Sequence, residues 1–296
     1  MPELPEVETI RSGLDRFVLN KEIKTFIVND KKLNLNLSSL RKLRGDSFSK
    51  IERLGKMLVF SFNNHEAKML VHLKMTGQLI FCRNNKLKVK SEVEKILLAG
   101  GHSGNEDFTV NDLKYVRFQI FFSNGYRLVL NDARRFAYVK IVGPTIFALE
   151  KKRFGLEPLS DDFTWKNFSM LIIKHPKRNI KAFLLDQSLI AGIGNIYADE
   201  TLFASGVNPQ KKVGDLSEKQ KKLIFQSIKR ILKLAVKKRG TTFSDYVDAR
   251  GLSGGFSKLL KVYGRDGNKC YKCGRVIKKD KIAGRGTHFC SYCQRY

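Results

Sequence analysis

The sequence predicts an α+β multidomain chain: an antiparallel β domain opened by a helix, a helical second half, and a small C-terminal hairpin held by a metal. Three observations carry this. Strand-like apolar runs crowd the first half, and a long amphipathic helix dominates the second. Four cysteines close the chain as two Cys-x-x-Cys pairs. A length of 296 residues gives room for two domains and a third small one, and 42% apolar residues supply real cores.

Residues 5–18 carry Val7, Ile10, Leu14 and Phe17 at helical spacing, with Pro5 suited to a first-turn position. Strand-like runs follow at 57–62, 69–73, 115–122, 126–130 and 136–142, and Asn124-Gly125 between two of them is a strong hairpin signal. The stretch 83–111 breaks this pattern. Its Lys, Asn, Gly and Glu content predicts a long surface insertion with a short helix at 91–98. Near Gly143-Pro144 the texture changes from β to α, so the domains are placed at 1–145, 146–264 and 265–296. A helix is predicted over 217–239, opened by a capping box from Ser217 to Gln220. Ile224, Ile228, Ile231 and Ala235 line one face, and Gly240 follows the end.

Lys and Arg number 56 against 28 Asp and Glu, a formal net charge of +28. Solubility does not require so large an imbalance, which points to a polyanionic partner, nucleic acid or an acidic membrane. No apolar run approaches the roughly 20 residues of a spanning helix. The start, Met1-Pro2-Glu3-Leu4-Pro5-Glu6, is acidic and proline-bearing, unlike a signal or transit peptide. The expectation is an intracellular protein, cytoplasmic or nucleoid-associated, acting on nucleic acid and not on a membrane. A ribosome-associated or chromatin-like basic protein also fits the charge alone. Within 211–239 only Asp215 and Glu218 offset a run of Lys and Arg, too one-signed for an ordinary solvated face.

Cys270-x-x-Cys273 and Cys290-x-x-Cys293 are separated by 16 residues, a spacing that sets four thiolates around one zinc. The segment between them is too small to bury a core, so the metal supplies much of its folding energy. Four protein ligands leave no open position, which makes the zinc structural. Lys278, Lys279, Lys281 and Arg285 make the hairpin basic. Cys82, alone in an apolar segment, reads as a small core residue.

Met1 before proline is expected to be trimmed, leaving Pro2 with a free secondary amine. Such an amine attacking a sugar aldehyde gives an iminium, an electron sink that is cationic without a further proton. An α-amino group has a reference pKa near 7.7–8.0, so much of it is unprotonated near neutrality. Glu3 and Glu6 follow closely enough to handle protons. Taken alone, the same residues read better as an acidic helix start.

The chain as a whole resembles the Fpg/Nei family of bifunctional DNA glycosylases. The matching stretches are Pro2-Glu3-Leu4-Pro5-Glu6-Val7-Glu8-Thr9, Leu54-Gly55-Lys56, His72-Leu73-Lys74-Met75-Thr76-Gly77 and Asn131-Asp132-Ala133-Arg134-Arg135-Phe136. They continue with Leu185-Asp186-Gln187, the run from Ala191 to Glu200, Val262-Tyr263-Gly264-Arg265, and Gly284-Arg285-Gly286-Thr287 in the cysteine-flanked hairpin. All occur in the family's order. The resemblance implies an N-terminal β-sandwich with flanking helices, a helix-two-turn-helix domain and a β-hairpin zinc finger, with one structural zinc. It implies a base-excision repair enzyme, working as a monomer on double-stranded DNA that contains damaged bases or abasic sites. Oxidised purines (8-oxoguanine, formamidopyrimidines) would be removed and the strand nicked by β,δ-elimination.

The resemblance also implies roles. Pro2 would be the Schiff-base nucleophile and Glu3 the acid/base at the sugar, while Lys56 would assist β-elimination and Arg285 δ-elimination. His72, Lys177, Asn195 and Tyr263 match DNA-contact positions. Met75, Arg134 and Phe136 match a trio that fills the void left by a flipped-out base. Arg117 falls where the family often has a DNA-contacting histidine, in Lys114-Tyr115-Val116-Arg117, and would keep a cationic DNA contact there. The Gly-rich segment 250–255 would close over the flipped base. Without the family pattern, Lys56 reads as a turn lysine, Arg285 as an exposed finger residue, Tyr263 as packing, and His72, Met75 and Phe136 as core. Two rival functions are a Nei-like enzyme for oxidised pyrimidines and a non-catalytic binder of damaged DNA. Leu4 and the Met/Arg/Phe trio argue against the first, and intact Pro2, Glu3 and Lys56 against the second.

Overall fold

In the computed structural model, which describes residues 1–83, 96–102, 115–241, 246–247 and 254–295, the chain opens with helix α1 (Leu4–Val18). Its start is set by Pro5 in the first turn and by the Glu3 N–H, which donates to Glu6 Oε2 at 2.9 Å. Leu4, Val7, Ile10, Leu14 and Val18 form its buried stripe. The chain then packs as two units: Met1–Lys151 with Lys238–Gly255, and Lys152–Lys237 with Phe256–Tyr296.

The first unit is a sandwich of two antiparallel sheets. One holds β2 (Phe48–Leu54), β3 (Met57–Phe62), β4 (Lys68–His72) and β9 (Tyr138–Val142), in that order. The other runs β1 (Ile23–Val28), β7 (Val116–Phe122), β8 (Tyr126–Asn131), β5 (Gln78–Arg83), β6 (Ile96–His102) and β10 (Tyr246–Val247). Alternate residues of each sheet point inward. Ile51, Leu58, Phe60, Met69 and Val71 from one meet Ile23, Phe81, Phe118, Ile120 and Leu128 from the other, closed by Val7, Ile10 and Leu14 of α1. The Asn124-Gly125 turn forms as expected, with Gly125 at φ 82° between β7 and β8. Cys82 is a fully buried core residue beside Ile80 and Val129.

Two expectations are corrected here. Residues 96–98 do not belong to a helix: they begin β6, which pairs antiparallel with β5 from Gln78 to Cys82. Strand pairing overrode the local helical reading there, while 91–95 and most of the insertion lie outside the described residues. The strand expected over 136–142 starts at Tyr138, because Arg135 at φ 58° turns the backbone and leaves Phe136 in a loop.

The first unit recovers chain after the long helix of the second. Gly240, at φ 80°, lies so close to Glu6 that a Cβ there would sit 2.7 Å from Glu6 Oε1. The Thr241 N–H donates to that same oxygen at 2.7 Å. A Cβ on Gly254 would meet the Gly240 carbonyl at 2.3 Å, so two backbones pass where only glycine fits. Of the expected closing segment, residues 250–253 lie outside the described residues.

The second unit holds α4 (Trp165–Lys174), α5 (Ile180–Leu185), α6 (Asn195–Ala204) and α7 (Glu218–Lys237); the short α2 (Leu37–Lys42) and α3 (Pro144–Lys152) belong to the first. Helix α7 starts at the expected reciprocal box: Gln220 N donates to Ser217 Oγ at 3.2 Å and Ser217 N to Gln220 Oε1 at 3.1 Å. Its buried side carries Ile224, Ile228, Ile231 and Ala235. Phe163, Phe168 and Phe225 pack at centroid distances of 5.1 to 5.7 Å, joining α4 to α7. The C-terminal hairpin pairs β11 (Lys278–Ile282) with β12 (Arg285–Phe289).

Candidate active site and nucleic-acid interface

The N-terminal cluster is built by α1 and the β2–β3 hairpin. Pro2, Glu3, Glu6 and Lys56 are all buried. Lys56 sits in a tight turn made possible by Gly55 at φ 59°. That turn is pinned to α1 by Arg53, which donates to the Gly55 carbonyl at 3.0 Å and to Glu8 Oε2 at 2.9 Å. Burial pushes the Met1 amine below its ordinary pKa; the Glu3 and Glu6 carboxylates oppose that shift and Lys56 adds to it.

His72, at the end of β4, is half-buried, and its Nδ1 accepts the Lys74 N–H at 2.9 Å. That bond leaves the proton on Nε2, which becomes a donor. Burial, with Lys74 and Lys56 adding to it, drops the imidazole to a pKa of about 3, so the ring is a neutral donor at any working pH.

Met75 and Phe136 are not core residues. They are 43% and 52% exposed and stand on two adjoining loops. The loops are tied together by Thr76 Oγ1, which donates to Asp132 Oδ1 at 2.5 Å. The Arg134 guanidinium lies over the Phe136 ring, 4.9 Å from its centroid. The expected trio is therefore presented to solvent from the two loops that cross between the sheets. Arg117, expected as a DNA contact, is turned inward: it is 3% exposed and donates to Asp30 Oδ2 at 2.7 Å and to the Ala137 carbonyl at 2.5 Å.

In the second unit, Asn195 opens α6 and its Nδ2 donates to the Gly286 carbonyl at 2.8 Å. The preceding glycine turn is shaped by Gln187, which accepts from Gly192 N and donates to the Ile193 carbonyl, both at 2.9 Å. The Tyr263 N–H donates to Glu200 Oε1 at 2.9 Å, and its ring meets the edge of His288 at 4.9 Å. Lys177 and Arg285 are exposed, the first between α4 and α5 and the second at the tip of the β11–β12 hairpin.

Sequence reasoning missed what anchors that hairpin. Lys181 and Asp199, both 0% exposed, form an ion pair at 2.6 Å; Lys181 also donates to Thr287 Oγ1 at 2.7 Å, and Asp199 takes the His288 N–H at 2.9 Å. A lysine inside the apolar run Ile180-Lys181-Ala182-Phe183-Leu184 was the available signal.

The four cysteine sulfurs lie within 4.8 Å of one another. A tetrahedral site with metal–sulfur bonds of about 2.3 Å has sulfur–sulfur edges of about 3.8 Å. Cys270–Cys293 and Cys273–Cys290 stand at 3.9 and 3.5 Å, so the set fits one structural zinc with no position left for a substrate.

Comparison with known proteins agrees with this architecture. The formamidopyrimidine-DNA glycosylase N-terminal domain matches residues 1–139, the H2TH domain of the same enzymes residues 154–246, and the zinc finger found in FPG and IleRS residues 267–295. The formamidopyrimidine-DNA glycosylase of Carboxydothermus hydrogenoformans is 37% identical over 298 residues, covering 100% of both chains. The chain belongs to the formamidopyrimidine-DNA glycosylase family. Among solved structures of the family, a complex of the Lactococcus lactis enzyme with DNA containing an abasic site is 30% identical with a TM-score of 0.82, covering 99% of this chain and 100% of that one. A complex of a point mutant of the same enzyme with DNA containing Fapy-dG is 32% identical with a TM-score of 0.83, covering 100% of both. Among the described residues no helix is long and apolar enough to cross a membrane.

Proposed function

We propose that this chain is an intracellular base-excision repair enzyme, acting as a monomer on duplex DNA, that removes oxidised purines and then cuts the strand as an abasic-site lyase. The observation that carries the reading is the buried terminal cluster of Pro2, Glu3 and Lys56, within a family whose members are crystallised on abasic and Fapy-dG DNA. While Met1 is attached, the Pro2 nitrogen is an amide without a nucleophilic lone pair. Once Met1 is removed, the amine attacks C1′ of the extruded nucleoside, the C1′–base bond breaks, and the departing base takes a proton. The sugar ring opens to an iminium on Pro2, with Glu3 moving the proton between ring oxygen and carboxylate. Loss of a C2′ proton into that electron sink expels the 3′ phosphate, a step that Lys56 assists by holding phosphate charge. A second elimination, assisted by Arg285, expels the 5′ phosphate.

Lys177, His72, Asn195 and Tyr263 serve the DNA backbone in this reading and carry no sequence information. Met75 and Phe136 restore stacking where the base left, and Arg134 donates to the acceptors on the pairing edge of the unpaired cytosine. Opposite adenine the same guanidinium faces an amino donor. Such a discrimination is worth about 1–3 kcal/mol, roughly ten- to hundredfold. The test is a denaturing gel of duplexes carrying 8-oxoguanine opposite cytosine or adenine. Excision should be far faster opposite cytosine, and Arg134→Ala should shrink that ratio more than Lys177→Ala does. Equal rates for the unmodified enzyme refute the reading, and a clear preference for oxidised pyrimidines moves the chain to the other branch of the family.

A further inference from the structure

Asp30 lies in the loop after β1, far in sequence from the residues it holds. Its buried carboxylate takes two guanidinium groups at once: Arg117 Nε at 2.7 Å, and Arg135 through Nε at 2.9 Å and through Nη2 onto the other oxygen. Arg135 is the residue between Arg134 and Phe136, and its φ of 58° is a left-handed conformation that an arginine adopts only when its surroundings hold it there. Arg117 completes the frame from below. It donates to the Ala137 carbonyl at 2.5 Å and stands 3.5 Å from Asp132. Asp132 in turn accepts the Ala137 N–H at 2.7 Å, the Arg134 N–H at 3.2 Å and the Thr76 hydroxyl at 2.5 Å, next to Met75. Every residue of the exposed trio is thus one peptide bond from a group fixed by this charge network.

We propose that Asp30 is a positioning residue for opposite-base discrimination: through Arg117 and Arg135 it holds the loop that presents Arg134 and Phe136. The inference rests on the assignment of Arg134 to the unpaired base. Neither Asp30 nor Arg117 touches DNA in this role. A bidentate carboxylate–guanidinium pair sets both distance and orientation, which a lone charge does not. Asparagine at position 30 is isosteric but neutral and offers a donor where Arg135 needs a second acceptor, so the loop is expected to sample other conformations.

The experiment measures single-turnover excision of 8-oxoguanine opposite cytosine and opposite adenine at saturating protein, with strand cleavage at a ready-made abasic site as the parallel readout. Asp30→Asn should lower the cytosine-to-adenine ratio by about threefold or more, short of the roughly tenfold or greater loss for Arg134→Ala. Cleavage at the abasic site should change by less than about twofold. In an Arg134→Ala background the Asp30→Asn change should have no further effect on the ratio, an epistasis that a general loosening of the fold would not produce. Should Asp30→Asn fold poorly, the half-exposed Arg135→Ala removes one clamp without leaving a buried cavity and is expected to lower the ratio in the same way. A ratio that falls with Arg134→Ala but not with Asp30→Asn or Arg135→Ala overturns the positioning role. Equal loss of all three rates in Asp30→Asn also overturns it, in favour of simple structural support. A ratio insensitive to Arg134→Ala overturns the assignment beneath it.

Discussion

Replacing Lys181 by Met should cost the second unit a large part of its stability. Lys181 and Asp199 are both fully buried, 2.6 Å apart, and Lys181 also holds Thr287 on the hairpin. Methionine matches the length of the aliphatic stem but leaves the Asp199 carboxylate with the His288 N–H and no adjacent lysine. Breaking a buried pair by removing one partner typically costs about 3–5 kcal/mol, against about 5–15 kcal/mol for a whole domain. The single tryptophan of the chain, Trp165, lies in α4 of this unit, so its fluorescence reports the right transition in urea. The midpoint should fall with little change in slope. The double variant Lys181→Met/Asp199→Leu should be less damaged than the sum of its single changes, because no unpaired charge remains. A loss below about 1 kcal/mol for Lys181→Met, or strict additivity in the double variant, would refute the reasoning.

Metal removal and pH give two further tests. The purified chain should carry one zinc, and chelation or Cys290→Ser should unfold the hairpin and abolish strand cleavage while the sandwich keeps its own melting transition, because the finger's core is little more than Ile277 and its cysteines against Phe203 and Val262. Full cleavage by metal-free protein would contradict this. His72 should show no NMR titration between pH 8 and 5. Its folded pKa of about 3 lies below the ordinary value of about 6.5, so as pH falls from about 6.5 toward about 3 the unfolded chain takes up a proton that the folded chain refuses, and stability is lost over that range. An inflection near pH 6.5 would contradict the buried, neutral-donor geometry.

What could be read from the sequence was what carries a local signal. The α1 stripe, the Asn124-Gly125 hairpin, the Ser217–Gln220 box and the paired cysteines each declare themselves within a few residues, and all formed. Strand β6 did not, because its identity depends on pairing with β5 more than on its own composition. The charge networks were out of reach for the same reason. Asp30 meets Arg117 across 87 positions and Arg135 across 105, and Lys181 meets Thr287 across 106, distances over which no spacing rule operates. Arg117 illustrates the limit: a cation at a position that matches DNA contacts was read as another contact, and only its burial beside Asp30 shows it is turned inward. Met75 and Phe136 illustrate the converse, since apolar residues flanking strands read as core until their exposure is seen.

The claim at the centre of this account is that the chain's own terminal amine forms the covalent intermediate. Incubating the protein with a duplex carrying 8-oxoguanine opposite cytosine in sodium borohydride, then digesting and sequencing the adduct, tests it directly, because an iminium is reducible to a stable amine. The account predicts a single adduct on Pro2 of a chain lacking Met1, and none when a tag blocks that nitrogen. An adduct mapped to a lysine, or full strand cleavage by the tagged protein, would contradict it.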